Sequence, residues 1–297
     1  MSGTSGRSVA LPPGGPLRVG FVGAGRIGLP MVSRLVGAGH RVHVCDRSGG
    51  ARTALERAGA SSSPDPAEAA RGAEAVVVCV HTDAQVRELG AGLLDAMPAT
   101  SVLIVHTTGS PATTGHLSDR ARSRGIEVVD APVSGGPHDI ASGCVTLYCG
   151  ATHEGMRRAR RVLGAYGEPI LHCGPPGAGQ RMKLVNNAVF TANIAVLAAA
   201  VRLAGGLGLA ESAVLTGLGH GSGDSRALSG AASRGSVGAF ARGVGEFVGK
   251  DMTVVRDVAA ELGQDLGLLA DAHDALGELL HPSDGGRLTA SRSGDGG

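Results

Sequence analysis

The first half of the chain alternates short apolar segments rich in β-branched residues with alanine-rich segments of helical periodicity. The apolar segments are, in order, LRVGFV, RVHVCD, AVVVCV, SVLIVH, IEVVD, VTLYCG and EPILHC. A strand that is apolar along its whole length is buried on both faces, so the pattern predicts a mostly parallel sheet with helices packed on each side. We therefore expect residues 17–179 to form an α/β domain with a doubly wound parallel sheet.

The strand pattern stops at Gln180, where a long helical segment begins with RMKLVNNAVFTANIAVLAAAVRLAGGLG. Helical periodicity continues to about Leu280, which predicts a second, all-helical domain over residues 180–281. The two ends, residues 1–16 and 282–297, are rich in Gly, Ser and Pro and have little to bury. We expect both to be disordered tails.

Charge and hydropathy exclude several classes of function. The 27 basic and 26 acidic residues give a net charge of +1, so there is no positive excess to hold a nucleic acid or an anionic membrane. The longest clean apolar run, Ile194–Val201, is far shorter than the about 20 residues that a membrane span needs. The five cysteines form no C-x-x-C pair and no apolar leader precedes the first strand, so we expect a cytoplasmic protein without a metal site.

A glycine-rich turn follows the first strand. Residues 23–28, Gly23-Ala24-Gly25-Arg26-Ile27-Gly28, fit the pattern G-x-G-x-x-G. Glycine makes up 50 of the 297 residues, so the bare pattern is expected about once by chance. Its position between a strand and a helix is typical of a dinucleotide site, in which the backbone approaches a pyrophosphate and the helix N-terminus faces the anion. We expect all six residues to bind the cofactor.

The second strand ends in Asp46, which is where a carboxylate accepts hydrogen bonds from the adenosine ribose hydroxyls of NAD. Arg47 and Ser48 follow directly, and a guanidinium beside a hydroxyl is equally able to hold the 2′-phosphate of NADP. The sequence favours NAD and leaves NADP open. The alternative for Arg47 is an ordinary surface charge.

Lysine and asparagine are rare in this chain. Lys183 and Lys250 are the only lysines among the 27 basic residues, and the three asparagines are Asn186, Asn187 and Asn193. A lysine that survives so strong an arginine bias is expected to do something a guanidinium cannot, such as exchange a proton. Lys183 and Asn187 are four residues apart on a predicted helix and share a face. An asparagine there orients the amine without adding a negative charge that would raise its pKa.

The segment Asp130-Ala131-Pro132-Val133-Ser134-Gly135-Gly136 ends another strand at its carboxyl end. Ligands of open α/β sheets bind at this edge. The Ser134 hydroxyl and the amides of Gly135 and Gly136 are suited to cradle a carboxylate. A Gly-Gly turn with no function is the alternative.

Together these segments resemble the β-hydroxyacid dehydrogenase family over residues 17–280. The resemblance rests on GAGRIG, on HTTGSP at 106–111, on DAPVSGG, on G-x-x-G-x-G-x-x-x-K-x-x-N-N at 174–187 and on the pair Lys250-Asp251. It implies a Rossmann-type domain followed by a helical domain, and an NAD(P)-dependent oxidation of a short 3-hydroxy acid to its semialdehyde. The roles it implies are Lys183 as acid and base, Asn187 positioning lysine and substrate, Ser134 to Gly136 binding the substrate carboxylate, Thr108 near the nicotinamide ribose, and Lys250 touching the cofactor across the domain cleft.

Related proteins of the same fold supply the alternatives. The 6-phosphogluconate dehydrogenases typically carry histidine at the position of Asn186, and imine reductases usually lack the lysine that this chain has at 183, so both fit less well. A reductase of imines or larger carbonyls, and a non-catalytic module that senses a dinucleotide, remain the competing hypotheses. The family's aromatic residue before Lys250 falls on Gly243, which leaves Phe240 or Phe247 to replace it.

The long helix also predicts the oligomeric state. Its AVLAAAV stretch is apolar on nearly every side, and a helix of that kind needs cover all round. One small helical domain has few large side chains to offer, so we expect a homodimer through a two-fold axis. A monomer whose own helices wrap this one is the alternative.

Overall fold

The computed structural model describes residues 15–46 and 52–280. The predicted tails therefore fall almost entirely outside the described residues, and Arg47 and Ser48 lie outside them as well. Two compact units divide between Leu184 and Val185. The sequence placed this division at 179/180, five residues earlier.

The first unit is built from alternating strands and helices. In chain order they are β1 (Arg18–Val22), α1 (Gly28–Gly37), β2 (Arg41–Cys45), α2 (Arg52–Arg57), β3 (Ser61–Ser63), α3 (Pro66–Ala70), β4 (Ala75–Val78), α4 (Asp83–Ala96), β5 (Val102–Val105), α5 (Pro111–Arg122), β6 (Glu127–Asp130), β7 (Val133–Ser134), α6 (Pro137–Ala141), β8 (Val145–Gly150), α7 (His153–Leu163) and β9 (Gly167–Gly174).

The strands form one sheet in the order β3-β2-β1-β4-β5-β6-β8-β7, with β9 paired to β8. The six strands from β3 to β6 are parallel, whereas β8 runs antiparallel to β6 and β7. The strand order reverses at β1, so the crevice for a ligand lies outside the carboxyl ends of β1 and β4. This is the predicted doubly wound sheet. The serine-rich β3 and the very short β7, α3 and α6 were not predicted, because none has an apolar run or a full helical period.

Two apolar clusters cover the two faces of the sheet. Along β5, Val102 and Ile104 belong to one cluster while Leu103 and Val105 belong to the other. Each fully buried side chain of this size contributes about 1.5–3 kcal/mol to folding. Burial on both faces explains why the central strands are apolar throughout.

The second unit is helical over its described residues. It contains most of α8 (Ala178–Gly206), followed by α9 (Glu211–Leu218), α10 (Arg226–Arg234), α11 (Val237–Glu261) and α12 (Leu268–Leu280). One side of α8 is buried, through Ile194, Leu197 and Ala198. Its other side leaves large apolar side chains exposed, namely Val185, Val189, Val196 and Leu203.

By length and composition α8 is apolar enough to cross a membrane, and 44% of its most apolar stretch is buried within the described residues. A core helix of a water-soluble domain meets the same two criteria. The expectation that no segment spans a membrane therefore stays a prediction.

Candidate active site

The glycine loop between β1 and α1 has a separate steric reason for each glycine. Gly23 has a φ of 100°, and a Cβ there would lie 2.3 Å from the carbonyl oxygen of Cys79. A Cβ on Gly28 would lie 2.2 Å from the carbonyl oxygen of Gly23, so the start of α1 packs directly on the loop. A Cβ on Gly25 would meet no protein atom within 4 Å. Its missing side chain therefore leaves open space beside the loop.

The N-terminus of α1 has no side-chain cap, because Ile27 occupies the capping position. The amides of a first helical turn need an acceptor, and a phosphate group is a suitable one. Asp46 follows β2 at the same edge of the sheet and is half-buried, and its backbone amide donates to the carbonyl of Ser63. The loop and Asp46 thus offer what a dinucleotide needs at its phosphates and its adenosine ribose.

The loops that follow β4 and β5 are bonded to each other through Thr107. Its hydroxyl donates to the carbonyl of Val80 at 2.9 Å and accepts from the amide of Val80 at 3.1 Å. Thr108, the next residue, is half-buried, and Gly109 is packed so tightly that a Cβ there would lie 2.2 Å from the Asp83 carboxylate. The segment that carries Thr108 is therefore held rigidly at the carboxyl edge.

Gln180, in the first turn of α8, crosses to this segment. Its Oε1 accepts from the amide of Gly109 at 3.0 Å, and its Nε2 donates to the carbonyl of Thr107 at 2.8 Å. Only 2% of the residue is exposed. Both ends of the buried amide are thus used on the backbone of a loop more than 70 residues away in the chain.

Asp130, the last residue of β6, anchors the same helix. Its Oδ1 accepts from the amide of Gly177 at 2.6 Å and its Oδ2 from the amide of Gln180 at 2.7 Å. The residue is fully buried. Burial raises the pKa of its carboxyl to about 6, and the backbone amides that bond to it limit the rise.

The turn Ser134–Gly136 follows β6, as predicted, but a short strand comes between them, since Ser134 ends β7 and the two glycines lead into α6. Gly135 has a φ of 134°, and Ser134 is half-buried. The amide of Gly136, however, donates to the carboxylate of Asp139 at 2.7 Å. That N–H is used within the protein, so the Ser134 hydroxyl and the Gly135 amide are the groups of this turn that remain to hold a carboxylate.

Lys183 is half-buried and lies three residues after Gln180 on α8, so the two side chains leave adjacent positions of the helix surface. Asn187 follows one turn later on the same face. Lys183 belongs to the first unit and Asn187 to the second, because the division falls between them on one continuous helix.

In the second unit Asn187 is held by a carboxylate that the sequence did not identify as a partner. Its Nδ2 donates to Oδ2 of Asp251 at 2.7 Å, and its Oδ1 accepts from Asn186 at 3.2 Å. Oδ1 of Asp251 lies 3.4 Å from Nζ of Lys250. A carboxylate only accepts, so the bond to Asp251 fixes which end of the Asn187 amide is the nitrogen.

Two further groups complete the description. Phe240 is buried and packs edge to face on Phe190, with ring centroids 6.2 Å apart, whereas the side chain of Phe247 lies outside the described residues. His106, which directly follows β5, is buried between the carbonyl of Ala131 at 2.6 Å and the hydroxyl of Tyr166 at 2.8 Å. Burial lowers the pKa of His106 to about 4, so the ring is neutral and its Nδ1 carries the proton.

Sequence reasoning missed Asp130, Gln180 and Asp251 as functional candidates. Asp130 and Asp251 stood inside segments that were singled out, beside the Ser-Gly-Gly turn and next to Lys250. A signal was available for both, because an acidic residue that ends a buried strand or lies in an apolar helix needs a partner. Gln180 had no local signal, since its two partners are distant in the chain.

Two protein-family models match most of the chain. Residues 18–174 match the model of the NAD binding domain of 6-phosphogluconate dehydrogenase. Residues 177–291 match the model described as the NAD-binding domain of NADP-dependent 3-hydroxyisobutyrate dehydrogenase. The two matches meet at the start of α8.

The chain is also similar to individual proteins that are named dehydrogenases. The chain is 34% identical over 173 residues to an NAD-dependent L-serine dehydrogenase and 36% identical over 172 residues to a 3-hydroxyisobutyrate dehydrogenase, both from Pseudomonas aeruginosa. Each alignment covers 57% of this chain and 58% of the relative. Among solved structures, the 3-hydroxyisobutyrate dehydrogenase of Mycobacterium tuberculosis with L-serine superposes with a TM-score of 0.79 at 27% identity, covering 89% of this chain and 93% of that one.

Proposed function

This chain belongs to the β-hydroxyacid dehydrogenase family, and we propose that it reversibly oxidises a short 3-hydroxy carboxylate to its semialdehyde with NAD or NADP. The relatives named above act on L-serine and 3-hydroxyisobutyrate, which are small hydroxy acids. The proposed substrate is of that chemical class.

One observation carries the proposal. In the first unit, four segments that the sequence singled out end at the carboxyl edge of the sheet or start from it: the glycine loop, the Thr107–Gly109 segment, the Ser134–Gly136 turn and the first turn of α8 with Lys183. Hydrogen bonds of Gln180 and Asp130 tie the last of these to the ends of β5 and β6. The segments that we propose to bind the phosphates and the carboxylate and to carry the amine thus start from one edge of the sheet.

The residues fit a dinucleotide. The open space at Gly25 and the uncapped first turn of α1 support a pyrophosphate there, and we assign the ribose hydroxyls to Asp46, which is half-buried directly after β2. A bound nicotinamide would supply the hydride acceptor for oxidation and the hydride donor for reduction. The protein supplies binding and orientation for that transfer.

On the substrate, each remaining group has one task. The Ser134 hydroxyl and the Gly135 amide bind the carboxylate. Nζ of Lys183 accepts the hydroxyl proton in oxidation and returns it in reduction, which is general acid–base catalysis. The family resemblance assigns Asn187 to positioning the lysine and the substrate, and within the second unit Asp251 fixes the orientation of its amide.

The direct test is a panel of 3-hydroxy acids and their semialdehydes with NAD and with NADP, followed by the absorbance of the reduced nicotinamide. We expect turnover of at least one short hydroxy acid. Turnover of a cyclic imine and of no hydroxy acid would support an imine reductase instead. Cofactor binding without turnover of any substrate would support a dinucleotide-sensing module.

Replacing Lys183→Arg tests the role of the amine. The guanidinium keeps the positive charge but does not deprotonate, so we expect kcat to fall by about 10²–10⁴-fold while the cofactor dissociation constant stays within about threefold. Arg202→Lys is the matched control, because it exchanges the same two residue types at an exposed position of the same helix. Retention of more than about a tenth of kcat in Lys183→Arg would remove the lysine from the chemistry.

The proposal includes a homodimer and a reducing cytoplasm. The exposed apolar side chains of α8 follow helical spacing over five turns, from Val185 through Val196 to Leu203, which supports a second copy of this helix as cover. All five cysteines are free thiols, and Cys45 and Cys149 are buried, which supports a reducing compartment.

A further inference from the structure

Gln180 is buried against a loop to which it makes two hydrogen bonds of opposite polarity. Its carbonyl end accepts from the Gly109 amide, and its amino end donates to the Thr107 carbonyl. A side chain that only filled space there would leave both backbone groups without these partners, at the usual cost of buried unsatisfied groups. The pair of bonds requires one donor and one acceptor in fixed order.

Asp130 holds the same helical turn from another strand. Its two oxygens take the amides of Gly177 and Gln180. The space for the carboxylate is made by glycines: a Cβ on Gly150 would lie 2.4 Å from its Oδ1, and a Cβ on Gly179 would lie 2.8 Å from its Oδ2. The helix start, β8 and the carboxylate are therefore in direct contact.

These bonds restrain different motions of α8. The bonds to Asp130 fix how far the helix start stands from the end of β6, and the bonds of Gln180 fix its rotation relative to the loop after β5. Lys183 is three residues further on, about 4.5 Å along the axis. The direction in which its side chain leaves the helix is therefore set by Gln180 and Asp130.

We propose that Gln180 and Asp130 are positioning residues that hold the Lys183 amine in line with the Thr107–Gly109 segment. This inference rests on the proposed function, since it concerns the same site. It assigns to two buried groups a task beyond stabilising the fold, because an amine displaced by about 1 Å loses much of its efficiency in proton transfer.

The test is Gln180→Glu, which has the same shape. A protonated glutamic acid donates to the Thr107 carbonyl and accepts from the Gly109 amide, as glutamine does, whereas an ionised one has no donor to offer. We expect the ratio of the variant's kcat to that of wild type to be reduced about ten- to a hundredfold at pH 9. The ratio should recover as pH falls toward 6.5, while KM changes by less than threefold.

Ionisable groups face this position from several elements. They are Asp130 from β6, His106 from the end of β5, Lys183 on α8 itself, and Asp83 of α4, which is ion-paired with Arg87. All are present in wild type and variant, so the ratio of the two kcat values removes their own titration. Gln180→Met is the matched control without polar ends, and its ratio should stay low at every pH.

Thr152→Val distinguishes a mispositioned lysine from a mere loss of stability. This change removes the hydroxyl that accepts from the Gly155 amide at the start of α7 and donates to Glu127, so it weakens a helix cap and removes no hydrogen bond of Gln180 or Asp130. We expect its kcat to equal that of wild type at every pH. A Gln180→Glu ratio that does not depend on pH, or that lies within twofold of one at pH 9, would overturn the inference.

Inactivity of the wild type on every substrate would refute the proposed function and not this inference. Hydrogen exchange followed by mass spectrometry then decides, since it needs no turnover. At pH 8.5 the peptide covering residues 178–184 should exchange its amide hydrogens faster in Gln180→Glu than in wild type. Its exchange rate in Thr152→Val should equal that of wild type. Equal exchange in all three proteins would contradict the anchoring of this turn.

Discussion

Replacing His106→Asn makes the cost of a buried neutral histidine measurable. The ring lies between the Ala131 carbonyl and the Tyr166 hydroxyl, and burial lowers its pKa from 6.5 to about 4. Tyr166 stays neutral nearby because burial raises its pKa well above the ordinary value. Asparagine keeps a donor for Ala131 and has nothing to titrate.

Proton linkage gives the direction in which the stability of wild type changes with pH. Below pH 6.5 His106 binds a proton in the unfolded chain, whereas in the folded protein it binds one only near pH 4. Wild type therefore loses stability as pH falls. Between pH 7.5 and 4.5 the loss from this residue is about 2.5 kcal/mol, from the two pKa values. The asparagine variant does not lose it. The variant should be less stable than wild type at pH 7.5, because Tyr166 loses its acceptor, and the difference should shrink by about 2–3 kcal/mol at pH 4.5.

For Asp130→Asn, the difference in unfolding free energy from wild type should change with pH in the opposite direction. The folded protein binds the Asp130 proton more tightly than the unfolded chain, since the pKa of the carboxyl rises from 3.8 to about 6. This stabilisation is complete below about pH 4 and is lost as pH rises through 6, by about 2 kcal/mol between pH 4.5 and 7.5. Cys149, which faces Asp130, stays a thiol because its pKa is raised to about 12.

Equilibrium unfolding in urea at pH 4.5, 6 and 7.5 measures both effects as differences from wild type, so the titration of all other groups cancels. Equal m-values are required for the comparison. A His106→Asn difference that is constant within about 0.5 kcal/mol across this range would refute the argument that the folded state excludes the imidazolium.

Two more substitutions test the cofactor and the assembly. Asp46→Ala should weaken NAD binding more than NADP binding, because the carboxylate accepts ribose hydroxyls and repels a 2′-phosphate; a wild type that already prefers NADP tenfold in a fluorescence titration would contradict this role. Ala199→Glu places a charge on the exposed side of α8, so a dimer should dissociate with its helix content intact. Light scattering that gives the 29.5 kDa chain mass for wild type would contradict the dimer.

Much of the fold follows from local sequence pattern. The apolar runs from LRVGFV to EPILHC became β1, β2, β4, β5, β6, β8 and β9, because a strand buried on both faces is visible as a continuous apolar segment. The glycine loop was recognisable for a similar reason, since Gly23 and Gly28 are required by contacts close in the chain or at the neighbouring strand. Short elements such as Ser61–Ser63 were not, because three serines carry no burial pattern.

The sequence alone also determined which residue types stand out, above all Lys183 and Asn187, because their rarity and helical spacing are properties of the chain itself. Only the tertiary structure decided what holds them. Asn187 meets Asp251 across 64 residues and Gln180 meets Thr107 across 73, and neither pair has a periodicity that would reveal it. Such hydrogen bonds depend on the packing of elements distant in the chain, and burial then makes them obligatory, because a polar group that leaves water must find its partner within the protein.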